Sequence, residues 1–247
     1  MRYNEVMKLL HIKKNFDLTT VIYIILIFGV VGLGVYLFIS KHQKNNDATP
    51  GYQIVLPQPS FESTVSVEEA LKNRRSVREY KDQPISMHEL SQILWAAQGI
   101  TSDEGFRTAP SAGGLYPLEL YVVSQNVAGL ERSIYKFHTK SHSLDKIINT
   151  NKIEQIVSAA NNQEFIGQAP VVIIITGVLK RTTQKYNEIG ERYVYIEAGH
   201  VAQNIYLQTY TLGLDTVTIG GFDTEKIQSL LNLPEGEEPI YIIPIGK

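Results

Sequence analysis

A run of 23 residues without a formal charge, from Leu18 to Ser40, is the feature that most limits how this chain can fold. Ile, Val, Leu, Phe and Gly make up most of it. As a helix the run is long enough to cross about 30 Å of hydrocarbon, and glycines are tolerated in such helices. A secretory signal has a shorter apolar region and a small-residue cleavage site, which Ser40-Lys41-His42 does not provide. The sequence therefore favours an uncleaved transmembrane helix at 18–40 over a cleaved signal peptide.

The basic residues beside this run give an orientation. Four precede it and two follow it closely: Arg2, Lys8, Lys13, Lys14, Lys41 and Lys44. Because lysine and arginine are enriched on the cytoplasmic side of a membrane span, we expect the N-terminal basic segment 1–17 to lie inside. The predicted localisation is the cell membrane, with a single pass and an extracytoplasmic domain.

After the apolar run, the sequence predicts a linker and one domain. Residues 41–60 contain Asn45-Asn46-Asp47 and three prolines, which is typical of an extended linker. The 187 residues of 61–247 are enough for one sizeable core. A net charge of −2 argues against a nucleic-acid partner. No cysteine is present and the six histidines lack ligand spacing, so we predict no metal site.

Helices and strands alternate along the domain, which predicts an α+β or α/β fold. Capping boxes at Ser66 and Ser86 begin two helices, and the second helix reaches Gly99, a candidate left-handed cap. Further elements are predicted as strands at 118–124, 170–176, 214–219 and 240–245, and a helix at 223–231. Residues 182–212 contain no proline and predict one long helix that ends at Gly213. Such a helix needs burial on most sides, which a subunit interface would supply.

Four residues after the first helix form a candidate anion site: Arg74, Arg75, Ser76 and Arg78. The planar guanidinium fork suits phosphate oxygens. In an extended segment, side chains alternate, so Arg74, Ser76 and Arg78 would share one face. A solvated basic turn, paired with neighbouring glutamates, is an equally weighted alternative.

Two segments of small residues suggest the same kind of ligand. Within Pro110–Pro117, a serine, an alanine and two glycines would let backbone amides approach a ligand closely. Gly220-Gly221 follows a predicted strand and precedes a helix that Asp223 would cap, and backbone amides at such a junction are good anion donors. The glycine spacing of a dinucleotide fingerprint is missing. Together with the arginines, these segments indicate a phosphorylated cofactor.

The order of these motifs closely resembles the FMN-dependent nitroreductase superfamily, and within it the SagB-like dehydrogenases that include the azoline oxidases. The motifs are Arg-Arg-Ser-x-Arg-x-Tyr, Ala-Pro-Ser-Ala-Gly-Gly-Leu-Tyr-Pro, Glu-Ala-Gly-His-x-Ala-Gln-Asn and Gly-Gly-Phe, within about residues 65 to 246. The resemblance implies a three-layer α+β fold with a mainly antiparallel central sheet and a long core helix. It also implies FMN as cofactor and a homodimer, here preceded by the predicted transmembrane helix.

The resemblance assigns roles to individual residues. Those implied to hold the FMN phosphate are Arg74, Arg75, Ser76 and Arg78. Those implied to line the partner subunit's flavin are Pro110, Ser111 and Ala112. A backbone amide of Gly220 or Gly221 would donate to flavin N5. Lys185 and Tyr186 match the Lys-Tyr pair of the azoline oxidases, so Lys185 is the candidate base and Tyr186 would orient the substrate. The alternative is that both residues lie at an exposed helix start and take no part in catalysis.

Several functions are compatible with this resemblance. The leading one is an FMN-dependent oxidoreductase that moves a hydride to or from flavin N5 on a small-molecule or peptide substrate. The alternatives are a non-catalytic FMN-binding or assembly subunit, an NAD(P)H-dependent nitro or quinone reductase, and a reductive dehalogenase. Ile189 and Glu191 differ from the Gly-Glu-Arg-Gly-Tyr-Arg sequence of the azoline oxidases. Glu197, His200 and Asn204 lie on one helical stripe and predict a buried polar network across the dimer or near the flavin.

Overall fold

The computed structural model describes residues 53–247, together with Ile22 and Phe28. The predicted basic segment 1–17, the rest of the predicted helix 18–40 and most of the predicted linker 41–60 lie outside the described residues. The end of that linker segment belongs to the fold, because Ile54–Val55 form a strand and Leu56 is buried.

Among the residues that the structure describes, no helix is both long and apolar enough to cross a membrane. This finding contradicts the predicted localisation as a single-pass membrane protein with an extracytoplasmic domain. That prediction depended only on an apolar run of sequence and on the few basic residues that flank it. The longest helix in the described part instead carries charged and polar side chains along its whole length.

Seven strands build one sheet in the described part of the chain. They are β1 (Ile54–Val55), β2 (Leu118–Ser124), β3 (Ile134–His138), β4 (Ser143–Ile148), β5 (Val171–Val178), β6 (Asp215–Thr216) and β7 (Glu237–Gly246). Their order is β1-β4-β3-β2-β5-β7-β6, and all six neighbouring pairs are antiparallel. Apolar β-branched residues fill β5 at the centre, which explains why this strand is buried on both faces.

Helices cover the sheet on both sides. They are α1 (Val67–Asn73), α2 (Met87–Gln98), α3 (Ile153–Ala159), α4 (Phe165–Gln168), α5 (Lys180–Tyr186), α6 (Ile189–Thr211) and α7 (Thr224–Leu231). Side chains alternate along β5. Val171, Ile173 and Ile175 therefore pack with α2 and α6, whereas Val172 and Ile174 pack with α3 and α7. The predicted three-layer α+β fold with an antiparallel sheet and a long core helix is confirmed.

Local signals in the sequence explain several helix ends. Ser66 and Ser86 both accept a hydrogen bond from the backbone of a glutamate three residues later, and at Ser86 the glutamate completes the capping box. Asp223 caps α7 as predicted. Gly99 follows α2, but its backbone is extended (φ −63°, ψ 149°) rather than left-handed. A glycine is needed there because a Cβ would lie 2.1 Å from Cδ1 of Trp95.

The predicted single helix 182–212 is wrong, because two helices occupy this region. Asn187 separates α5 from α6 with a left-handed φ of 54°. The two helices then pack together so closely that a Cβ on Gly190 would lie 2.8 Å from the backbone of Thr182 and Thr183. Asparagine tolerates a positive φ and glycine permits the close approach. The break moves Lys185 and Tyr186 from the start of a long helix to the end of a short one.

Candidate functional site

The arginine segment runs from the end of α1 along the edge of the sheet. Arg74 caps α1 in an extended conformation (φ −53°, ψ 135°). Ser76 then pairs with Thr216 of β6, and the amide of Val77 donates to the Thr216 carbonyl at 3.0 Å. The segment is therefore extended at Ser76. An extended backbone is what the predicted common face of Arg74, Ser76 and Arg78 requires.

Arg74 and Ser76 converge on Tyr206 of α6. The Ser76 and Tyr206 hydroxyls are 2.8 Å apart, and the guanidinium carbon of Arg74 lies 5.0 Å from the centre of the tyrosine ring. The Tyr206 hydroxyl also accepts a hydrogen bond from the amide of Thr218 at 3.0 Å. Burial alone would raise the pKa of Tyr206, but the hydrogen bonds with Ser76 and Thr218 and the charge of Arg74 lower it overall.

The other two arginines differ from each other. Arg78 lies with its guanidinium carbon 5.9 Å from the ring of Phe165. Arg75 folds back and donates to the carbonyls of Lys72 and Arg74 at 3.0 and 2.8 Å, which caps the end of α1. Within residues 53–247, none of the three guanidiniums lies within 4.0 Å of a carboxylate. The alternative of a basic turn paired with glutamates is therefore not what the structure has.

The glycine pair lies beside this cluster. Gly220 comes two residues after Thr218, whose amide is bonded to Tyr206. Both glycines are exposed, and they lie between the bridge residue Ile219 and the helix cap Asp223. The glycine pair thus lies between the bridge at Ile219 and the start of α7, two residues beyond the amide that bonds to Tyr206.

The Pro110–Pro117 loop contains a short 3-10 turn at Ala112–Gly114. The amide of Tyr116 donates to the hydroxyl of Ser111 at 2.9 Å, which closes the loop. Gly113 and Gly114 both have a left-handed backbone, with φ of 65° and 64°, a conformation that glycine adopts without cost. At Gly113 a Cβ would lie 2.6 Å from the Tyr186 hydroxyl and 2.8 Å from Nζ of Lys185.

Lys185 and Tyr186 therefore lie against the predicted flavin-lining loop of their own chain. Lys185 is exposed, with Nζ 5.4 Å from the centre of the Tyr186 ring. Tyr186 packs edge-on against Tyr193 of α6 at 5.2 Å between ring centroids. Earlier in α5, Arg181 forms an ion pair with Glu119 at 2.5 Å and donates to the carbonyl of Tyr116 at 3.2 Å. These contacts fix α5 to β2 and to the loop.

The polar stripe of α6 forms only part of the predicted network. Glu197 is 2% exposed, and its carboxylate accepts a hydrogen bond from Gln98 at 3.4 Å. Burial raises the pKa of Glu197, while hydrogen bonds from Ser111 and Gln98 and the charge of Arg107 oppose the rise. Asn204 donates to backbone carbonyls at 3.1 and 3.3 Å. His200 is exposed on the single chain and takes no part in these contacts, so its place in a network across the dimer or near the flavin stays a prediction.

Within one chain, the predicted residues fall into two groups at different points along α6. Ser76 contacts Tyr206, whereas Tyr186 packs on Tyr193. These two points on α6 are separated by about 20 Å at 1.5 Å per residue. Sequence reasoning missed Tyr206, although a tyrosine on the inner face of a core helix needs a partner for its hydroxyl.

Comparison with known proteins gave three kinds of match. The family model described as "Nitroreductase family" matches residues 71–247. A Methanocaldococcus jannaschii protein named as a nitroreductase is 44% identical over 183 residues, which cover 74% of this chain and 91% of that protein. The microcin B17-processing protein McbC of Escherichia coli is 22% identical over 194 residues, covering 73% and 71%. A crystal structure from Ralstonia eutropha, also named as a nitroreductase, aligns with a TM-score of 0.71 and 29% identity, covering 81% of this chain and 91% of that one.

Proposed function

Because this chain belongs to the nitroreductase family of oxidoreductases, we propose that it binds FMN and exchanges a hydride with flavin N5. Members of this family generally use a flavin. The single observation that carries the proposal is the arginine segment, whose Arg74 and Ser76 contact Tyr206 and whose guanidiniums have no carboxylate partner among residues 53–247. A phosphate dianion would supply the negative charge that these cations lack among residues 53–247.

The residues present fit the phosphate of FMN. Arg74, Ser76 and Arg78 would hold it, since two guanidinium forks and a hydroxyl offer directed donors to its oxygens. Arg75 would contribute less, because its guanidinium is already bonded to carbonyls at the end of α1. A backbone amide of Gly220 or Gly221 would donate to N5 of the ring. FMN, when bound, supplies the centre that accepts or gives up the hydride.

Lys185 and Tyr186 would handle the proton on the substrate side. Lys185 is the proposed base, and the neighbouring Tyr186 hydroxyl would orient the substrate or share the proton. Support comes from their position over Gly113, where a side chain larger than hydrogen would displace both groups. Pro110, Ser111 and Ala112, in the same loop, would line the flavin.

We propose that the active protein is a homodimer in which each flavin is served by both chains. The outward face of α6 carries an apolar stripe, with Ile189, Tyr195 and Ile196 exposed by 49%, 46% and 47%, beside the exposed Arg192 and His200. Gly199 on this face has open space above it. A two-fold pairing of α6 would bury the stripe. It would also bring the Tyr193 end of one helix towards the Tyr206 end of the other, which offsets the separation of about 20 Å within one chain.

For the substrate, we favour a SagB-like dehydrogenase that oxidises a peptide azoline. The support is the Lys185-Tyr186 pair together with the similarity to a protein that processes microcin B17. The 44% identity to a protein named as a nitroreductase favours a second candidate, an NAD(P)H-dependent reductase of nitro compounds or quinones. The two candidates differ in what reduces the flavin.

Anaerobic reduction of the FMN-loaded full chain separates these functions. Azoline peptides should bleach the flavin absorbance under the first proposal, and NADPH should bleach it under the second. A protein that binds FMN but is reduced by neither donor would support a non-catalytic FMN-binding subunit instead. A protein that does not bind FMN would contradict the proposed function as a whole.

A further inference from the structure

A small polar pocket lies apart from the arginine and serine cluster at Tyr206. It has a volume of about 240 Å³ and opens between the end of α2, the start of β2 and the turn that joins β3 to β4. Its lining includes Gln98, Arg107, Glu119, His138 and Lys140. This volume is smaller than that of typical cofactor sites, which begin at about 300 Å³, but it suits a short chain or one side chain.

Arg107 is the half-buried cation of this pocket. One terminal nitrogen, Nη1, donates to the side-chain carbonyl of Gln98 at 2.6 Å, and the guanidinium stacks over the ring of Tyr116 at 4.3 Å. Within residues 53–247, its Nε and Nη2 atoms donate no hydrogen bond, and no carboxylate lies within 4.0 Å of it. Burial lowers the pKa of Arg107, while the more distant charges of Glu197 and Glu119 oppose this shift. A desolvated charge is costly unless a partner offsets it.

The carboxylates around the pocket are engaged elsewhere. Glu119 forms ion pairs with Lys136 at 3.2 Å and with Arg181 at 2.5 Å. Asp145 of β4 pairs with His138 at 2.9 Å. Glu197 is buried behind Gln98, and its carboxylate accepts a hydrogen bond from the Gln98 amide at 3.4 Å. Lys140 is exposed at the rim and adds a further positive charge.

We propose that this pocket binds a carboxylate, with Arg107 as the anchor and Lys140 at the rim. A guanidinium with two free nitrogens matches the two oxygens of a carboxylate. The rigid contacts with Gln98 and Tyr116 would hold the fork in place before the ligand arrives, which reduces the entropy cost of binding. A phosphate dianion would have few donors here, because these two cations are the unpaired ones in the lining. The ligand class is therefore a small carboxylate or the carboxylate of a peptide.

The test uses the full chain and two probes of equal size, propionate and the uncharged propionamide, at constant ionic strength. Binding is followed by the NMR shift of the Arg107 Nε–H group and by the rise in melting temperature. Propionate should produce a saturable shift and a rise in melting temperature, whereas propionamide should produce neither. Arg107→Gln should weaken propionate binding by about tenfold or more, because it removes a charge-assisted pair.

Two further variants make the result decisive. Arg132→Gln removes an exposed arginine outside this pocket and should leave propionate binding unchanged. Arg107→Lys keeps the charge without the guanidinium fork and should bind propionate several-fold more weakly than the parent. If Arg107→Gln does not fold, this variant tests whether Arg107 anchors the carboxylate. The proposal is overturned if propionamide acts like propionate, or if the Arg107 variants bind propionate as tightly as the parent. These measurements need no flavin, so their outcome is independent of the proposed hydride transfer.

Discussion

The hydroxyl of Tyr206 connects three segments that are distant in the sequence: the arginine segment, the core helix α6 and the strand end before Gly220. It contacts Ser76 at 2.8 Å and the amide of Thr218 at 3.0 Å. The tyrosine is 7% exposed, so both of these hydrogen bonds are largely shielded from water. Arg74 and Ser76, two of the side chains proposed to hold the phosphate, thus contact a residue outside the recognised motifs.

Replacement of Arg74 and Arg78 by alanine should weaken FMN binding by about a hundredfold or more. Charge-assisted hydrogen bonds contribute about 1.5–3 kcal/mol each, and the double variant loses at least two. Arg75→Ala is the matched control, because its guanidinium is bonded to carbonyls of its own helix. Equilibrium titration with FMN measures all three proteins. Equal affinity in the double variant and the Arg75 control would show that these guanidiniums do not bind the phosphate.

Lys185→Ala should leave FMN binding intact and slow flavin reduction by the true substrate about a hundredfold, the usual contribution of a positioned base. Lys180→Ala, at the other end of α5, removes an exposed lysine and serves as the control. Rapid-mixing absorbance gives the rate of reduction. A loss within about threefold of the parent corresponds to less than 1 kcal/mol, and in that case Lys185 is not the base.

Glu197 should make the protein less stable as the pH rises. Its folded-state pKa is raised by burial, so the folded state holds the proton more tightly than the unfolded state. Stability is therefore greatest below the ordinary glutamate pKa and falls as the pH rises through the folded-state value. Glu197→Gln should remove this dependence and gain stability relative to the parent above that range. Melting temperatures between pH 4 and pH 8 test this, and an identical pH dependence in both proteins would contradict it.

Whole helices and strands were predicted well where a local pattern determined them, and poorly where packing determined them. The β2 strand has its predicted bounds of 118–124, and the Ser66, Ser86 and Asp223 caps are all in place. The β3–β4 hairpin was missed, because its alternation of apolar and polar residues is short. The break at Asn187 was missed because α5 folds back against Gly190, and that contact has no signal in the local sequence.

The candidate site was likewise predicted where a local motif determined it and missed where packing determined it. Its motif residues could be named from their order in the sequence, but their grouping could not. That Lys185 and Tyr186 lie over Gly113, and that Arg75 turns away from Arg74, depends on how α5 packs and where α1 ends. Tyr206 carried no motif and became visible only through its three contacts.

Gly113 and Gly114 provide a matched pair of substitutions in one turn. Both have φ near +65°, so alanine should cost each about 1–2 kcal/mol of backbone strain. Only at Gly113 would the added Cβ meet Lys185 and Tyr186, because nothing lies within 4 Å at Gly114. Gly113→Ala should therefore reduce the rate of flavin reduction well beyond Gly114→Ala at similar melting temperatures. Equal rates for the two variants would contradict the proposed role of the pair.

As a whole, the molecule carries the two halves of the proposed flavin site at separate points along α6. The arginine cluster lies at the Tyr206 end and the Lys185-Tyr186 pair at the Tyr193 end. The exposed apolar stripe on α6 offers a surface for a second copy. The central claim is that two chains combine these halves, so that one chain holds the phosphate while its partner supplies the lysine and the tyrosine.

Mixed dimers test this claim most directly. One chain carries Arg74→Ala and Arg78→Ala, the other carries Lys185→Ala, and two affinity tags isolate the species that contains both. If the halves come from different chains, one of the two sites in each mixed dimer is intact, and about half of the parent's rate of flavin reduction should return. A dimer of one variant alone should keep only about a hundredth of that rate, or hold little FMN. If the mixed dimer reduces its flavin as slowly as the dimers of either variant alone, or if no dimer forms, the two-chain site is contradicted.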